Sequence, residues 1–181
     1  MPYFIAAPIN VGKYLDIVKP PYRPIPVSKQ HLTLLYLGGL SETALETAKK
    51  AVGNAIQGLR PITVKFMGAR PYPSYARPRY VCAEVVEGVH RLAKARRHIL
   101  TCLLDSGIKP KDRFLDEFKP HVAFCEARVK PSQELYRVLE KMIRSADKIS
   151  IGTLIRRICL YESREGEYVV KNQYSLGLNF L

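Results

Sequence analysis

The stretch H-L-T-L-L-Y-L-G-G-L, residues 31–40, places a histidine and a threonine two positions apart at the head of an apolar run that closes on two glycines. On a strand, alternate residues share a face, so Leu32 and Leu34 enter a core while His31 and Thr33 point together to the other side. Tyr36 has the parity of Leu32 and Leu34 and is expected to pack inward, unless a bulge turns it outward. The run K-P-H-V-A-F, residues 119–124, has the same form. There Val122 and Phe124 are expected inward, with His121, Ala123 and Cys125 on the opposite face.

Working outward, a strand is expected over Pro2 to Pro8 and a helix from Asn10 to Val18, followed by a proline-rich loop from Lys19 to Pro26. Ser41 is a good N-cap for a helix whose apolar positions Ala44, Leu45, Ala48, Ala51, Val52, Ala55 and Ile56 keep helical spacing until Gly58 and Pro61. Strands over Ile62 to Ala69 and Arg79 to Val86 flank the loop R-P-Y-P-S-Y-A-R-P, and a second helix runs from Val89 to Ser106. After His121 come a helix from Pro131 to Ser145 and three strands, the last two joined at Arg164-Glu165-Gly166. Both halves thus read as a histidine-bearing strand, a helix about ten residues later, then two strands, which is the order of an internal duplication. A pseudo-twofold axis between the halves would set His31 and Thr33 across a groove from His121.

The chain has 181 residues, 47% of them apolar, enough for one sizeable core, and a single two-lobed unit over residues 1–181 is expected. Its formal charge of +13 concentrates anions, nucleic acid first among them, although a generally basic proteome would give the same number. The N-terminus lacks a basic leader and no apolar run reaches membrane-span length, so a cytoplasmic protein is expected. Cys82, Cys102, Cys125 and Cys159 sit in apolar runs with no C-x-x-C pair and read as buried thiols.

Two imidazoles facing each other suit acid-base chemistry at a phosphate. One neutral ring takes a proton from the nucleophile while one protonated ring gives a proton to the leaving oxygen, both near neutral pH. The Thr33 hydroxyl would hold a non-bridging oxygen. Two histidines without further donors at ligand spacing make an incomplete metal shell, so no metal and no cofactor are expected. His90 and His98 fall among Arg91, Lys94, Arg96 and Arg97 and read as a solvated basic helix face. Arg70 and Tyr75, in a loop that mixes cations with flat rings, are candidates for phosphate and base contacts. Arg113 and Lys119, before the second histidine, could reach a terminal phosphate, and Arg128, just past it, is a further substrate-binding candidate.

H-L-T-L followed by Y-L-G, with K-P-H-V-A-F further on, resembles the paired H-x-[ST]-x motifs of the 2H phosphoesterase superfamily, in the branch named for 2′-5′ RNA ligase or RNA 2′,3′-cyclic phosphodiesterase. The resemblance extends over nearly the whole chain, through Y-F-I-A-A-P-I, Gly68-Ala69 and the late hairpin. It implies an α+β fold of two pseudo-symmetric lobes, each an antiparallel sheet with helices outside, facing across a central cleft. It makes His31 and His121 the catalytic pair and Thr33 a phosphate ligand; which histidine is base and which acid is not read from the sequence, and His121 as base with His31 as acid is taken as the expectation. Ala123 departs from the pattern where a threonine or serine is usual, leaving only backbone for the phosphate at that position. The loss would cost roughly 1.5–3 kcal/mol of transition-state stabilisation unless another donor substitutes. The implied reaction opens a terminal RNA 2′,3′-cyclic phosphate to a 2′-phosphomonoester without metal, with 2′-5′ ligation where a 5′-hydroxyl RNA is the nucleophile. A monomer acting on RNA ends, tRNA fragments among them, and bound to no membrane is expected. Two alternatives stay open: a weakly active or non-catalytic RNA or nucleotide binder, and an enzyme for a small cyclic nucleotide or ADP-ribose cyclic phosphate.

Overall fold

The run Tyr3 to Ala7 is buried at every position, so its strand needs a neighbour on each side as well as cover on both faces. The computed structural model, which describes residues 1–113, 115 and 117–177, supplies both. The described strands in chain order are β1 (Pro2–Pro8), β2 (Arg23–Pro24), β3 (His31–Gly39), β4 (Ile62–Ser74), β5 (Arg77–Glu87), β6 (His121–Glu126), β7 (Ser150–Ile155), β8 (Arg157–Arg164) and β9 (Glu167–Ser175). The helices are α1 (Glu42–Ile56), α2 (Val89–Asp105) and α3 (Gln133–Ala146). β1 lies between β3 and β8 in a sheet of order β3-β1-β8-β9, and a second sheet has the order β2-β6-β5-β4-β7. All pairings are antiparallel.

This is the expected α+β architecture of two antiparallel sheets, yet each sheet is not one linear half of the sequence. The β4–β5 hairpin, which follows the first histidine strand, joins the sheet of the second one, and the β8–β9 hairpin returns to the first. The returning β8 covers the second flank of β1, with the buried Leu160 opposite Ile5 and the buried Cys159 opposite Ala6.

The helices after the histidine strands start alike. The Ser41 hydroxyl accepts from the Ala44 N–H at α1, and the Ser132 hydroxyl from the Leu135 N–H at α3, satisfying one orphan donor in each first turn. α1 buries Leu45, Ala48, Val52 and Ala55, and α3 buries Leu135, Leu139 and Met142. α1 packs on α2 and β9, and α3 on β4.

Two local expectations are corrected. The segment from Asn10 to Val18 is a short 3-10 helix, Gly12–Ile17, because the Asn10 side chain takes the Gly12 N–H and Tyr14 is pulled fully into the core. The stretch from Arg70 to Pro78 is no loop: β4 and β5 run through it to a tight turn at Tyr75 and Ala76. β7 pairs with β4 only from Ile62 to Met67, so the remainder of β4 is a sheet edge on that side, where Pro71 and Pro73 are tolerated.

Candidate active site

The geometry of the site begins with two β-bulges. Ile5 lies opposite Leu35 and Ala6 opposite Thr33, which leaves Leu34 as an extra residue in β3. Val81 lies opposite Cys125 and Cys82 opposite Ala123, which leaves Phe124 extra in β6. The bulged residue is the third after the histidine in both strands. A bulge reverses the side-chain parity beyond it. Tyr36 is therefore turned to the side of His31 and stands 41% exposed, against the inward packing that simple alternation gives. Cys125, expected beside His121, is carried into the core at 0% exposure. His31, Thr33, His121 and Ala123 are all half-buried and on the faces their spacing assigned.

The imidazoles are tethered alike. His31 Nδ1 lies 2.8 Å from the Lys29 carbonyl and His121 Nδ1 2.7 Å from the Lys119 carbonyl. A carbonyl only accepts, so each Nδ1 carries its proton and donates, and each Nε2 is left as the acceptor of a neutral ring. β3 and β6 lie against each other, and burial lowers the pKa of both histidines from the usual 6.5. The Lys29 carbonyl offsets this in part at His31, while the charge of His121 lowers it further. At His121 the Lys119 carbonyl again raises the value, with Arg70 lowering and Glu84 raising it. Because charge on one ring disfavours charge on the other, double protonation of the pair is opposed.

Aromatic rings fix both imidazoles. Phe4 lies 5.1 Å from the His31 ring and Tyr168 meets it edge-on at 4.9 Å, while Tyr161 stacks on Phe4 at 5.1 Å. Tyr72 stacks on His121 at 4.6 Å. Lys29 Nζ is bound at 2.5 Å by Glu167, next to Tyr168, which draws the β8–β9 turn to the residue whose carbonyl holds His31.

The β3 bulge is itself held from outside the sheet. Arg96, 6% exposed on α2, donates its Nε to the Leu34 carbonyl at 2.9 Å and a terminal nitrogen to the Leu115 carbonyl at 3.0 Å. Asp112 accepts from the Tyr36 N–H at 3.2 Å and pairs with Arg96 at 3.9 Å. The guanidinium also covers the Phe118 ring at 4.9 Å, one residue before Lys119. One buried cation thus ties the first histidine strand to the loop that delivers the second histidine. Arg96 is accordingly no part of a solvated basic face, whereas His90 and His98 are exposed as expected.

The remaining candidates separate. Arg70 faces the cleft from β4, ion-paired with Glu84 of β5, which lies directly opposite His121. Lys119 contributes its carbonyl to His121, and its Nζ pairs with Glu117 at 2.5 Å. Tyr75 sits at the hairpin tip, 59% exposed, so of the two tyrosines in that stretch it is Tyr72 that reaches a histidine. Arg113 is exposed in the loop before β6. Arg128 pairs with Glu126 at 3.1 Å and borders a separate recess of about 410 Å³ with Pro20 and Arg23. Among the described residues the four thiols are free and no three histidine, cysteine or acidic side chains are grouped to share a metal ion. No described helix is long and apolar enough to cross a membrane.

Phe4, Tyr161, Tyr168, Glu84, Arg96 and Asp112 escaped the sequence reading, since each meets the histidine strands through long-range contacts. One signal was available. Lys29-Gln30-His31 and Lys119-Pro120-His121 repeat a lysine two residues before the histidine, at the position whose carbonyl anchors the ring.

A family model described as the 2′-5′ RNA ligase superfamily matches residues 20–167, which include both histidine strands. An RNA 2′,3′-cyclic phosphodiesterase of Aquifex aeolicus is 29% identical over 112 residues, 61% of this chain and 58% of that protein, so the match spans less than two thirds of the relative's length. A solved protein of Thermus thermophilus superposes with a TM-score of 0.69 at 21% identity, over 97% of this chain and 98% of its own. LigT of E. coli, in a complex with 3′-AMP, superposes with a TM-score of 0.67 at 16% identity, covering 98% and 99% of the two chains. At such identities these structures establish the fold, and the family match agrees with the resemblance carried by the paired histidine motifs. This chain belongs to the 2′-5′ RNA ligase superfamily.

Proposed function

We propose that the chain hydrolyses the terminal 2′,3′-cyclic phosphate of RNA to a 2′-phosphomonoester by metal-independent catalysis at His31 and His121. The observation that carries this reading is the matched tethering of the two rings, which leaves two like Nε2 atoms on the facing histidine strands. His121 takes a proton from water as its oxygen attacks phosphorus. The bond from phosphorus to the 3′ oxygen breaks, and protonated His31 gives its proton to that oxygen. The products are a 2′-phosphate and a free 3′-hydroxyl, and the proton balance is restored through solvent. Thr33 supplies a hydroxyl to a non-bridging oxygen, and Arg70 offers a cation on the side where Ala123 has none. With a 5′-hydroxyl RNA end in place of water as the nucleophile, and the 3′ oxygen again leaving, the same groups form a 2′-5′ linkage.

In this reading the 1–181 chain is one two-lobed catalytic domain, monomeric and cytoplasmic, and its substrates are RNA ends such as those of tRNA fragments. The net charge of +13 favours RNA over an uncharged or small partner. Arg113, Lys119 and Arg128 are then phosphate contacts of the RNA body, and Tyr75 a contact beyond the terminal nucleotide. Ala123 supports a second reading, a binder whose rate has fallen with the lost hydroxyl. Phosphorus NMR of an oligonucleotide ending in 2′,3′-cyclic phosphate decides between them. Conversion to a 2′-monoester is expected, and tight binding without conversion would establish the binder.

A further inference from the structure

We propose that the Arg70–Glu84 pair sets the charge preference of the cleft, so that it accepts a phosphodiester monoanion and disfavours the phosphomonoester dianion left by ring opening. The inference rests on the cyclic phosphodiesterase reading above and adds to it the residue that governs product release.

Glu84 is the cross-strand partner of His121, so its carboxylate lies on the cleft face beside a ring that handles the proton. Arg70 is the partner of Cys82, which is in turn the partner of Ala123, so Arg70, Cys82 and Ala123 form one row across three strands. The guanidinium therefore occupies the row in which the second hydroxyl is missing, and Glu84 holds it there. The lysines before the histidines do not add free charge, since Lys29 is bound to Glu167 and Lys119 to Glu117. With one histidine protonated, the imidazolium, the guanidinium and the Glu84 carboxylate sum, among these described groups, to a single net positive charge. That matches the one negative charge of a cyclic diester. Opening the ring creates a monoester with a second ionisation near pH 6, hence close to two charges at neutral pH. A cleft lined by cations alone would bind this product more tightly than its substrate and stall on it. The Glu84 carboxylate removes that bias.

The test uses adenosine 2′,3′-cyclic monophosphate as substrate and adenosine 2′-monophosphate as product, with Glu84→Gln and Arg70→Gln beside the wild type. At pH 8, Glu84→Gln should lower the inhibition constant of the monoester by about tenfold while the KM of the cyclic diester changes by less than about threefold, because the second charge feels the carboxylate as well. Arg70→Gln should act oppositely, weakening the monoester more than the diester. At pH 5, where both ligands are monoanions, the discrimination should vanish, the histidines acting equally on the two. Equal shifts of KM and inhibition constant in both variants, or discrimination that persists at pH 5, would overturn the proposal. Calorimetric titration of the monoester and of the cyclic nucleotide repeats the comparison without turnover. An inactive wild type that still shows the charge preference would therefore remove the catalytic reading and leave this one standing.

Discussion

Replacing Arg96 by Met tests whether the first histidine strand is held by a buried cation. Methionine keeps much of the aliphatic stem but leaves the Leu34 and Leu115 carbonyls without their donors, at 2.9 and 3.0 Å, and Asp112 without its cation. A hydrogen bond from a charged donor is worth roughly 1.5–3 kcal/mol, and breaking a buried ion pair from one side typically costs about 3–5 kcal/mol. Allowing for overlap and for the packing that methionine retains, the loss should be about 3–5 kcal/mol. For a chain of this size that is a fall in Tm on the order of 6–20 °C. Urea unfolding followed by circular dichroism measures it. Arg96→Lys should recover less than half, since an ammonium cannot serve both carbonyls in the fork geometry. At a temperature where Arg96→Met is folded, kcat should fall more than KM rises, because the bulge that aims Thr33 and the loop that delivers Lys119 both relax. A loss below about 1 kcal/mol, with unchanged kcat, would refute the positioning argument.

Thr33→Ala should lower single-turnover hydrolysis at least about tenfold, or 1.4 kcal/mol, and Ala123→Thr should raise it modestly; the opposite pattern on a folded protein would show that neither side chain meets the phosphate. Both imidazoles have pKa values below 6.5, so kcat/KM, which reports the free protein, should be greatest on the acid side of that value. A bound phosphate anion raises both, and the kcat profile should lie at higher pH; coincident profiles centred above 6.5 would contradict the burial of the pair. The same shifts make the folded state bind fewer protons than the unfolded one, so this contribution to stability is present above pH 6.5 and is lost as pH falls through and below it, as acid titration of the unfolding free energy would register. Activity should persist after exhaustive EDTA treatment, and loss restored by one divalent ion would point to a metal in the mechanism.

Strand alternation was enough to place His31, Thr33 and His121 on the right faces, because parity is local and needs no partner. It failed at Tyr36 and Cys125, each beyond a bulge. Nothing in H-L-T-L-L-Y announces an extra residue at Leu34, since the bulge is defined by the register with β1 and held by Arg96, 62 positions away in sequence. The helices after each motif were legible from their serine caps and apolar spacing. The exchange of hairpins between sheets was not, as it depends on which strand covers the flank of β1. Arg70 was visible as a basic residue in a Pro- and Tyr-rich stretch, but its carboxylate partner Glu84 belongs to another strand and becomes visible only through pairing. Tyr72 and Tyr75 differ by three residues in a single stretch. Only the turn at Tyr75 and Ala76 shows which of them stands over a histidine.

Single-turnover opening of an oligonucleotide 2′,3′-cyclic phosphate by wild type, His31→Ala and His121→Ala tests whether His31 and His121 act as one proton-transfer pair. Each substitution should slow the reaction by at least about a hundredfold, with the double variant scarcely slower than either single one, while circular dichroism remains that of the wild type. Near wild-type opening by either folded single variant would show that the two imidazoles do not transfer the protons of this reaction.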